Sequence, residues 1–238
     1  MEILEGLEIV DVCLYIKKHK ILIVSDIHLG FEESLNKKGF LLPRLQFKDT
    51  YNKLRNILNN LDVRKIIIPG DLKHEFGSIN ETEWRNTLKL IDLFTENKRE
   101  LILIKGNHDT ILSPIARKKD VTLVDYYVID DIFICHGNKI LDNIEFKNAK
   151  TIIIGHEHPA IGLKEKAKYE IYKCFLKGKY KNKNLIVVPA FNVLTIGTDV
   201  LRGNFLSPFL KQDLSNFEIY IVNDDKVYHF GRLKSLMK

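Results

Sequence analysis

Five short apolar runs, each ending in Gly, Asp, Asn or His, constrain the fold of this chain more than any other feature. They are KILIVSD (20–26), KIIIPGD (65–71), ELILIKGN (100–107), DIFICHG (131–137) and TIIIGHE (151–157). Each is rich in β-branched residues and has the length of a strand buried on both faces. Helical spacing predicts two helices between them, one through Tyr51, Leu54, Leu58 and Leu61 and one through Trp84, Leu88, Ile91 and Phe94. The alternation predicts an α/β fold.

The pattern becomes all-β after residue 160. KYEIYKCFLKGKY, the polar turn KNKN and NLIVVPAF predict one hairpin, and FEIYIVNDDKVYHFG predicts a second that turns at Asp224 and Asp225. These strands predict a second sheet. We find no repeat or linker, and 238 residues that are 45% hydrophobic are enough for one core. We therefore expect residues 1–238 to form a single domain, without a separate capping domain.

Composition indicates a cytoplasmic protein that does not enter a membrane. No apolar run approaches the roughly 20 residues of a membrane-spanning helix. The N-terminal segment MEILEGLEIVDV is acidic where a signal peptide would be basic. Cys13, Cys135 and Cys174 lack CxxC spacing, which is typical of small buried hydrophobic residues in a reducing compartment.

One lysine-rich segment carries the charge excess of the chain. Residues 164–183 contain eight lysines and two glutamates, and the net charge of the whole chain is +6. Two interpretations stay open. The segment is either a surface that faces phosphate groups or, as is more usual for a run of charges, a solvated face.

Polar residues follow each of the five predicted strands. They are Asp26 and His28, Asp71, Asn107 and His108, His136, and His156 and His158. The carboxyl ends of strands in an open α/β sheet converge on one ligand site, so we expect these side chains to meet at one rim. In an extended chain the members of each i, i+2 pair point the same way. Glu157 points the opposite way and is expected to be solvated or structural.

This donor set predicts a metal centre. Imidazole, carboxylate and amide oxygen together suit borderline divalent metals, and the lack of a thiolate cluster argues against structural zinc. Seven candidate ligands, the residues above without His108, exceed one coordination shell, so we expect two ions, which a carboxylate such as Asp71 can bridge. His19 and His229 lie outside these blocks and are expected to be surface or structural residues.

The ordered blocks DIH, GD, GNHD, HG and GHEH resemble the calcineurin-like metallophosphoesterase superfamily over about residues 20–160. GDLKH, with His74 three residues after Asp71, is similar to the SbcD nuclease branch. GFEESLNKKGFLLPRL and VVPAFN look like a smaller ligase- or helicase-associated nuclease group and its archaeal SbcD-related cousins. These less specific elements extend the likeness to about residue 200.

The resemblance implies a four-layer αββα sandwich of two mixed sheets flanked by helices. It also implies two ligand sets, one of Asp26, His28, Asp71 and His158 and the other of Asp71, Asn107, His136 and His156. His108 would be the acid or transition-state stabiliser, and Asp109 would orient it. His74 would assist near the phosphate or have a supporting role.

The function that follows is phosphodiester hydrolysis by a hydroxide that bridges two divalent ions. Mn is the preferred metal, with Fe, Zn, Ni or Co as alternatives. The expected substrate is nucleic acid, in particular single-stranded or flap DNA, and the expected protein partner is a repair helicase or ligase. Two alternatives remain: a phosphomonoesterase acting on nucleotides or phosphoproteins, and a scaffold without activity. The complete ligand set argues against the scaffold.

Overall fold

The computed structural model describes residues 1–41, 43–74, 81–109, 112–165, 168–224 and 226–236. Its first sheet has seven strands in chain order, antiparallel from β1 to β4 and parallel from β4 to β7. These strands are β1 (Glu2–Leu4), β2 (Leu7–Val10), β3 (Cys13–Ile16), β4 (Ile21–Ile23), β5 (Lys65–Pro69), β6 (Glu100–Ile104) and β7 (Thr122–Val124).

The second sheet has nine strands, in the order β14-β11-β12-β13-β10-β9-β8, and β15 joins β12 to β16. Its strands are β8 (Tyr126–Ile129), β9 (Ile132–Cys135), β10 (Thr151–Ile154), β11 (Pro159–Glu165), β12 (Lys168–Tyr180), β13 (Lys183–Val187), β14 (Thr198–Asp199), β15 (Glu218–Asn223) and β16 (Lys226–Arg232). Strand β10 is parallel to both β9 and β13. Both predicted hairpins, β12–β13 and β15–β16, are confirmed.

Helices cover the outer faces of the sheets unequally. The described helices are α1 (Phe31–Lys37), α2 (Gln46–Asn60), α3 (Glu81–Thr95), α4 (Ser113–Lys119) and α5 (Ile144–Asn148). The predicted apolar stripes of α2 and α3 pack with the residues of the first sheet. The second sheet is covered by α5 and by short 3-10 turns at Pro208–Leu210 and Leu233–Ser235. The predicted α/β sandwich of two mixed sheets is confirmed.

The isoleucine run of β10 shows why these strands are apolar throughout. Ile153 belongs to the core that joins the two sheets, whereas Ile152 and Ile154 belong to the core beneath α5 and the 3-10 turns. Successive side chains of a strand point to opposite faces, so a strand with cores on both sides has apolar residues at successive positions. All three isoleucines are fully buried.

The five predicted strands do not lie in one sheet. Strands β4, β5 and β6 belong to the first sheet, and β9 and β10 belong to the second. The expectation of a site at the rim of a single open sheet is therefore corrected, because the polar blocks approach one another from two facing sheets. All three cysteines are free and buried, as expected. In the segment FLSPFL, Phe209 and Leu210 are fully buried, so this part is a packed connection.

The two ends of the lysine-rich segment lie at opposite ends of the second sheet: Lys173 pairs with Ala160, two residues after His158, whereas Lys177 and the lysines after it run toward the start of β10. Strand β12 is antiparallel to β13, and Tyr180 pairs with Lys183 at the end of the sheet where β10 begins. The histidines of GHEH follow the opposite end of β10. Several of the lysines also have partners within the protein: Lys168 pairs with Glu170, Lys177 pairs with Glu218, and Lys173 donates to main-chain carbonyls.

Among the described residues, no helix is long and apolar enough to cross a lipid bilayer.

Candidate metal centre

The turns that follow the strands hold the polar blocks in an uncommon backbone conformation. The φ angles are 52° at Asp26, 48° at His28, 51° at Asp71, 66° at His156 and 51° at His158. This is the left-handed region, which non-glycine residues rarely adopt and which is enriched at functional sites. The i, i+2 pairs therefore do converge, but not because the chain is extended, as the sequence argument assumed. Tight turns aim both members of each pair inward.

Asp26, His28 and His158 form the first cluster. The Nε2 atom of His158 lies 3.4 Å from Oδ1 of Asp26 and 3.2 Å from Nε2 of His28. Asp26 is fully buried, and its Oδ1 accepts no hydrogen bond from the described residues. Its other oxygen, Oδ2, accepts hydrogen bonds from Ser25 Oγ and from the main-chain N–H of His156. One carboxylate oxygen is thus held in place, and the other faces two imidazoles.

Asp71, Asn107, His136 and His156 form the second cluster. His136 Nδ1 lies 2.9 Å from the carbonyl oxygen of Pro69 and is its donor, which leaves Nε2 facing inward. This Nε2 lies 2.8 Å from Asn107 Oδ1, 3.1 Å from His156 Nδ1 and 3.4 Å from Asp71 Oδ2. The structure therefore brings together all seven residues that the sequence suggested as ligands, four of them here.

Asp71 lies between the two clusters. Its Oδ2 atom is 3.4 Å from His136 Nε2 and 3.7 Å from His28 Nε2, so the same oxygen is within reach of both sets. Its Oδ1 accepts a hydrogen bond of 3.0 Å from the main-chain N–H of His108. This placement is the one expected of a bridging carboxylate.

The donor atoms fit divalent cations. Each cluster contains a pair of imidazole nitrogens about as close as a hydrogen-bonded pair, at 3.2 Å for His28 and His158 and 3.1 Å for His136 and His156. Two neutral nitrogen lone pairs at this distance repel each other, unless a proton or a cation lies between them. With a buried carboxylate beside each pair, this nitrogen and oxygen set suits borderline divalent metals.

Burial and neighbouring charges set the protonation states in the centre. Burial lowers the pKa of His28 to about 3 and, together with the charge of His136, lowers the pKa of His156 to about 4. Both are then neutral imidazoles at neutral pH, the form that binds metals. Burial opposes the charged form of His136, but its bond to Asp71 and the charge of Asp26 raise its pKa to about 9. A cation bound there would replace this proton.

His108 and His74 lie beside the first cluster. The rings of His108 and His74 stack, with centroids 5.3 Å apart, and both meet the His28 ring edge to face. Nδ1 of His108 contacts the carbonyl oxygen of His74, which leaves Nε2 directed toward Asp71 Oδ2, 3.9 Å away. Phe31 packs edge-on against His74 at 4.8 Å. His28, His74 and His108 each place one ring nitrogen within 4.8 Å of those of the other two.

Asp109 holds its loop rather than the His108 ring. Its carboxylate accepts hydrogen bonds from the main-chain N–H groups of Gly106 and Lys73. Burial and the nearby charge of Asp71 raise the pKa of Asp109 to about 7. Asp109 was expected to orient His108. In the described structure the direct partner of the His108 ring is the carbonyl of His74, and Asp109 acts on the main chain of the loop.

Gly155 marks a close approach between the two sheets. A Cβ atom at this position would overlap Ser25 Oγ and Asp26 Oδ2. The absence of a side chain at Gly155 therefore provides the room that this approach requires where β10 leaves the core.

Several supporting residues had no clear signal in the sequence. Glu157 is buried rather than solvated, and its Oε2 accepts hydrogen bonds from Leu206 and Ser207 N–H at 2.9 and 2.8 Å. Its structural role is as expected, but the partners are about fifty positions away. Gln46 donates to the carbonyl of His28, and the N–H of Asn192 donates to that of Asp26. Asn192 lies in the quoted motif VVPAFN, which was the only signal available.

Family comparison agrees with this geometry. The sequence profile described as calcineurin-like phosphoesterase matches residues 19–212. The chain belongs to this family. It is therefore a phosphoester hydrolase by family, and its clustered histidines and aspartates are suited to the divalent metal ions that such enzymes use.

Three solved structures are compared with this chain, and the first of them shows the same fold. A nuclease MPE from Pseudomonas putida is 20% identical, with a TM-score of 0.67 and coverage of 94% of both chains. Yfce, a phosphoesterase from E. coli, is 11% identical with a TM-score of 0.43, covering 89% of this chain and 98% of its own. A protein of unknown function from Aquifex aeolicus is 20% identical with a TM-score of 0.38, covering 58% of this chain and 78% of its own. None of the curated proteins matches significantly.

Proposed function

We propose that this calcineurin-like phosphoesterase is a phosphodiesterase that cleaves nucleic acid, in particular single-stranded or flap DNA. The observation that carries the proposal is Asp71, whose Oδ2 lies 3.4 and 3.7 Å from histidines of two adjacent clusters. When two divalent ions are bound, they supply a nucleophile at neutral pH and neutralise charge on the phosphoryl oxygens. We propose Mn²⁺, since the clusters combine oxygen and nitrogen donors.

The residues of this chain divide into two roles. In the proposal, Asp26, His28, Asp71, Asn107, His136, His156 and His158 hold the ions. His108 belongs to neither ligand set and lies beside Asp71, the carboxylate that both sets share. It is therefore positioned to donate a proton or hydrogen bond to the leaving oxygen. The His74 carbonyl fixes the tautomer of His108 with the proton on Nδ1 when the ring is neutral, and the cationic ring donates through Nε2. Asp109 keeps the His108 loop in place.

The choice of a nucleic acid diester has two supports. The block GDLKH resembles the SbcD nuclease branch, and the structure with a TM-score of 0.67 to this chain is that of nuclease MPE from Pseudomonas putida. At 20% identity this likeness shows the fold, so the substrate is our proposal. On the motif resemblance alone, we also propose a repair helicase or ligase as protein partner.

The first test compares hydrolysis of bis-p-nitrophenyl phosphate with that of p-nitrophenyl phosphate in Mn²⁺. We expect a marked preference for the diester, and the same preparation of His108→Ala shows whether a contaminating enzyme contributes. A preference for the monoester would replace the proposal with a phosphomonoesterase. No hydrolysis of either compound by protein with bound metal would indicate a scaffold that has lost its activity.

A further inference from the structure

Two loops are attached to the main chain of the first metal cluster. The first connects α1 to α2 and is described at residues 38–41 and 43–45, and the second connects β13 to β14 over residues 188–197. The N–H of Asn192 donates to the carbonyl of Asp26 at 3.2 Å, and the N–H of Thr198 donates to that of His158 at 2.8 Å. The side chain of Gln46 donates to the carbonyl of His28 at 2.8 Å. The main-chain carbonyls of Asp26, His28 and His158, the ligands proposed for the first ion alone, therefore each accept a hydrogen bond from a residue in or next to one of these loops. Gln46 also bonds to Asn192 at 3.3 Å, which joins the two loops side by side.

These loops expose large apolar side chains next to the metal cluster. We call the set the apolar rim: Phe40, Leu41, Leu45, Val193, Leu194 and Ile196, which are 58%, 99%, 49%, 37%, 41% and 57% exposed. Among the described residues, thirteen large hydrophobic side chains are exposed, and these two loops hold six of them. The other seven lie outside these loops and are Met1, Ile140, Ile144, Tyr169, Leu206, Tyr228 and Phe230. Clustering of exposed apolar side chains at one place marks a contact surface.

The charge around the rim indicates what it contacts. Residues 37–48 contain four basic residues, Lys37, Lys38, Arg44 and Lys48. Two of them, Lys37 and Arg44, share a surface depression with Glu33 and Glu81, which leaves Lys38 and Lys48 as the cations outside it. Lys38, Arg44 and Lys48 are exposed. A surface that combines apolar side chains with positive charge suits single-stranded nucleic acid, because the bases offer flat apolar faces and the phosphates are negative. A duplex keeps its bases stacked on each other and does not present these faces.

We infer that the apolar rim binds the unpaired bases beside the scissile phosphate, so that the enzyme selects single-stranded substrate. The inference rests on the proposed function for its choice of ligand. Phe40 supplies the aromatic face, and the aliphatic residues of the second loop cover the opposite side of the strand. The exposed Lys38 and Lys48 bind the phosphates that flank the cleaved bond.

The test measures binding apart from cleavage. The probe is a short fluorescein-labelled oligothymidylate, with Ca²⁺ in place of Mn²⁺, and its affinity is compared with that for an abasic strand of the same length. The rim variants are Phe40→Ser combined with Leu41→Ser, and separately Ile196→Ser. Matched controls are Phe230→Ser and Ile144→Ser, which replace exposed residues of β16 and α5.

The wild type is expected to bind the thymidylate strand about tenfold tighter than the abasic strand or better, as base stacking predicts. The rim variants should lose this difference in affinity, whereas the control variants should keep it. All variants should hydrolyse bis-p-nitrophenyl phosphate at the wild-type rate. Equal binding of both strands by the wild type, or unchanged binding by the rim variants, would overturn the inference. A wild-type dimer that the rim variants convert to monomers with intact DNA binding would also overturn it, because the rim would then be a protein interface.

The two proposals fail in different ways. If the protein hydrolyses the small diester but its binding does not depend on bases, the phosphodiesterase proposal stands and the proposed role of the rim is refuted. If binding depends on bases and the rim variants abolish it, but no diester is hydrolysed, the role of the rim stands and the proposed nuclease activity is refuted.

Discussion

Two buried aspartates of the centre show how much the protonation of a single side chain depends on its neighbours. Asp26 and Asp109 are both buried, and burial alone would raise the pKa of each. Asp26 faces His158, His136 and His28, which outweigh burial and hold its pKa below the usual range. Asp109 faces the charge of Asp71, which adds to burial and raises its pKa to about 7. The same residue type is therefore ionised in one place and close to titration in the other.

The contrast between His108 and His136 predicts separable effects of substitution. His108→Asn should keep its metal and lose roughly 10²–10⁴-fold in turnover, the usual contribution of a positioned acid or base. His136→Ala should lose metal as well, because its Nε2 lies in the second cluster. Metal content of the purified variants and hydrolysis of bis-p-nitrophenyl phosphate distinguish the two cases. His229→Asn, on β16, is the matched control, and undiminished turnover in metal-loaded His108→Asn would refute the role of His108.

Asp109 predicts a pH-dependent stability difference in metal-free protein. Its pKa is about 7 when folded and 3.8 in the reference state, so between these values the folded protein binds more protons than the unfolded chain. The contribution of this group to stability therefore falls as pH rises from about 4 to about 7. Asp109→Asn removes this dependence. In urea unfolding with a chelator, the stability of the variant relative to wild type should increase across this window, and a constant difference would contradict the assigned pKa.

Among the elements, the turn after β10 does most to build the centre. Strand β10 is buried on both faces, and within four residues of its end the chain supplies His156, Glu157 and His158 in turn. The two histidines have positive φ and face the clusters, while Glu157 binds the N–H groups of Leu206 and Ser207. The buried carboxylate of Glu157 thus holds the turn through these hydrogen bonds, on the side opposite to the two histidines.

Gly155→Ala should prevent metal binding without unfolding the chain. The added methyl group would overlap Ser25 and Asp26 and displace the carboxylate of the first cluster. Gly6→Ala is the matched control: its φ is +74°, and a Cβ there meets nothing within 4 Å, so only a backbone cost on the order of 1 kcal/mol is expected. Metal analysis and circular dichroism of both variants check the prediction. Full metal content in folded Gly155→Ala would show that the turn adapts.

In the molecule as a whole, the centre joins the two sheets. Asp26, His28, Asp71 and Asn107 follow strands of the first sheet, and His136, His156 and His158 follow strands of the second. Each cluster contains ligands from both sides. An ion bound in either cluster therefore connects elements that are otherwise held by the shared hydrophobic core.

Removal of metal should lower the free energy of unfolding. A ligand that binds only the folded state at about 100 times its dissociation constant stabilises by about 2.7 kcal/mol. Urea unfolding of wild type in Mn²⁺ and after dialysis against a chelator should show a difference of this size. His136→Ala should show a much smaller difference, and His229→Asn the full one. An equal stability with and without Mn²⁺ in wild type would mean that the clusters do not hold the ion.

The chain alone was sufficient to predict five buried strands, two helices and two hairpins, because burial on both faces requires continuous apolar strands and one-sided burial requires helical spacing. It did not predict the N-terminal strands β1–β3 or the short helices α1, α4 and α5. It also suggested the seven proposed metal ligands, since histidines and acidic or amide residues follow the strand ends, whereas the roles of His108, Asp109 and His74 came from the family resemblance. It did not show that the strands divide between two sheets, that positive-φ turns rather than extended pairs aim the ligands, or that His74 supplies the carbonyl beside His108. Sheet membership and loop attachment arise from pairings between distant residues, such as Asn192 with Asp26 and Glu157 with Ser207. Local sequence patterns do not encode such pairings, and they exist only once the chain has folded.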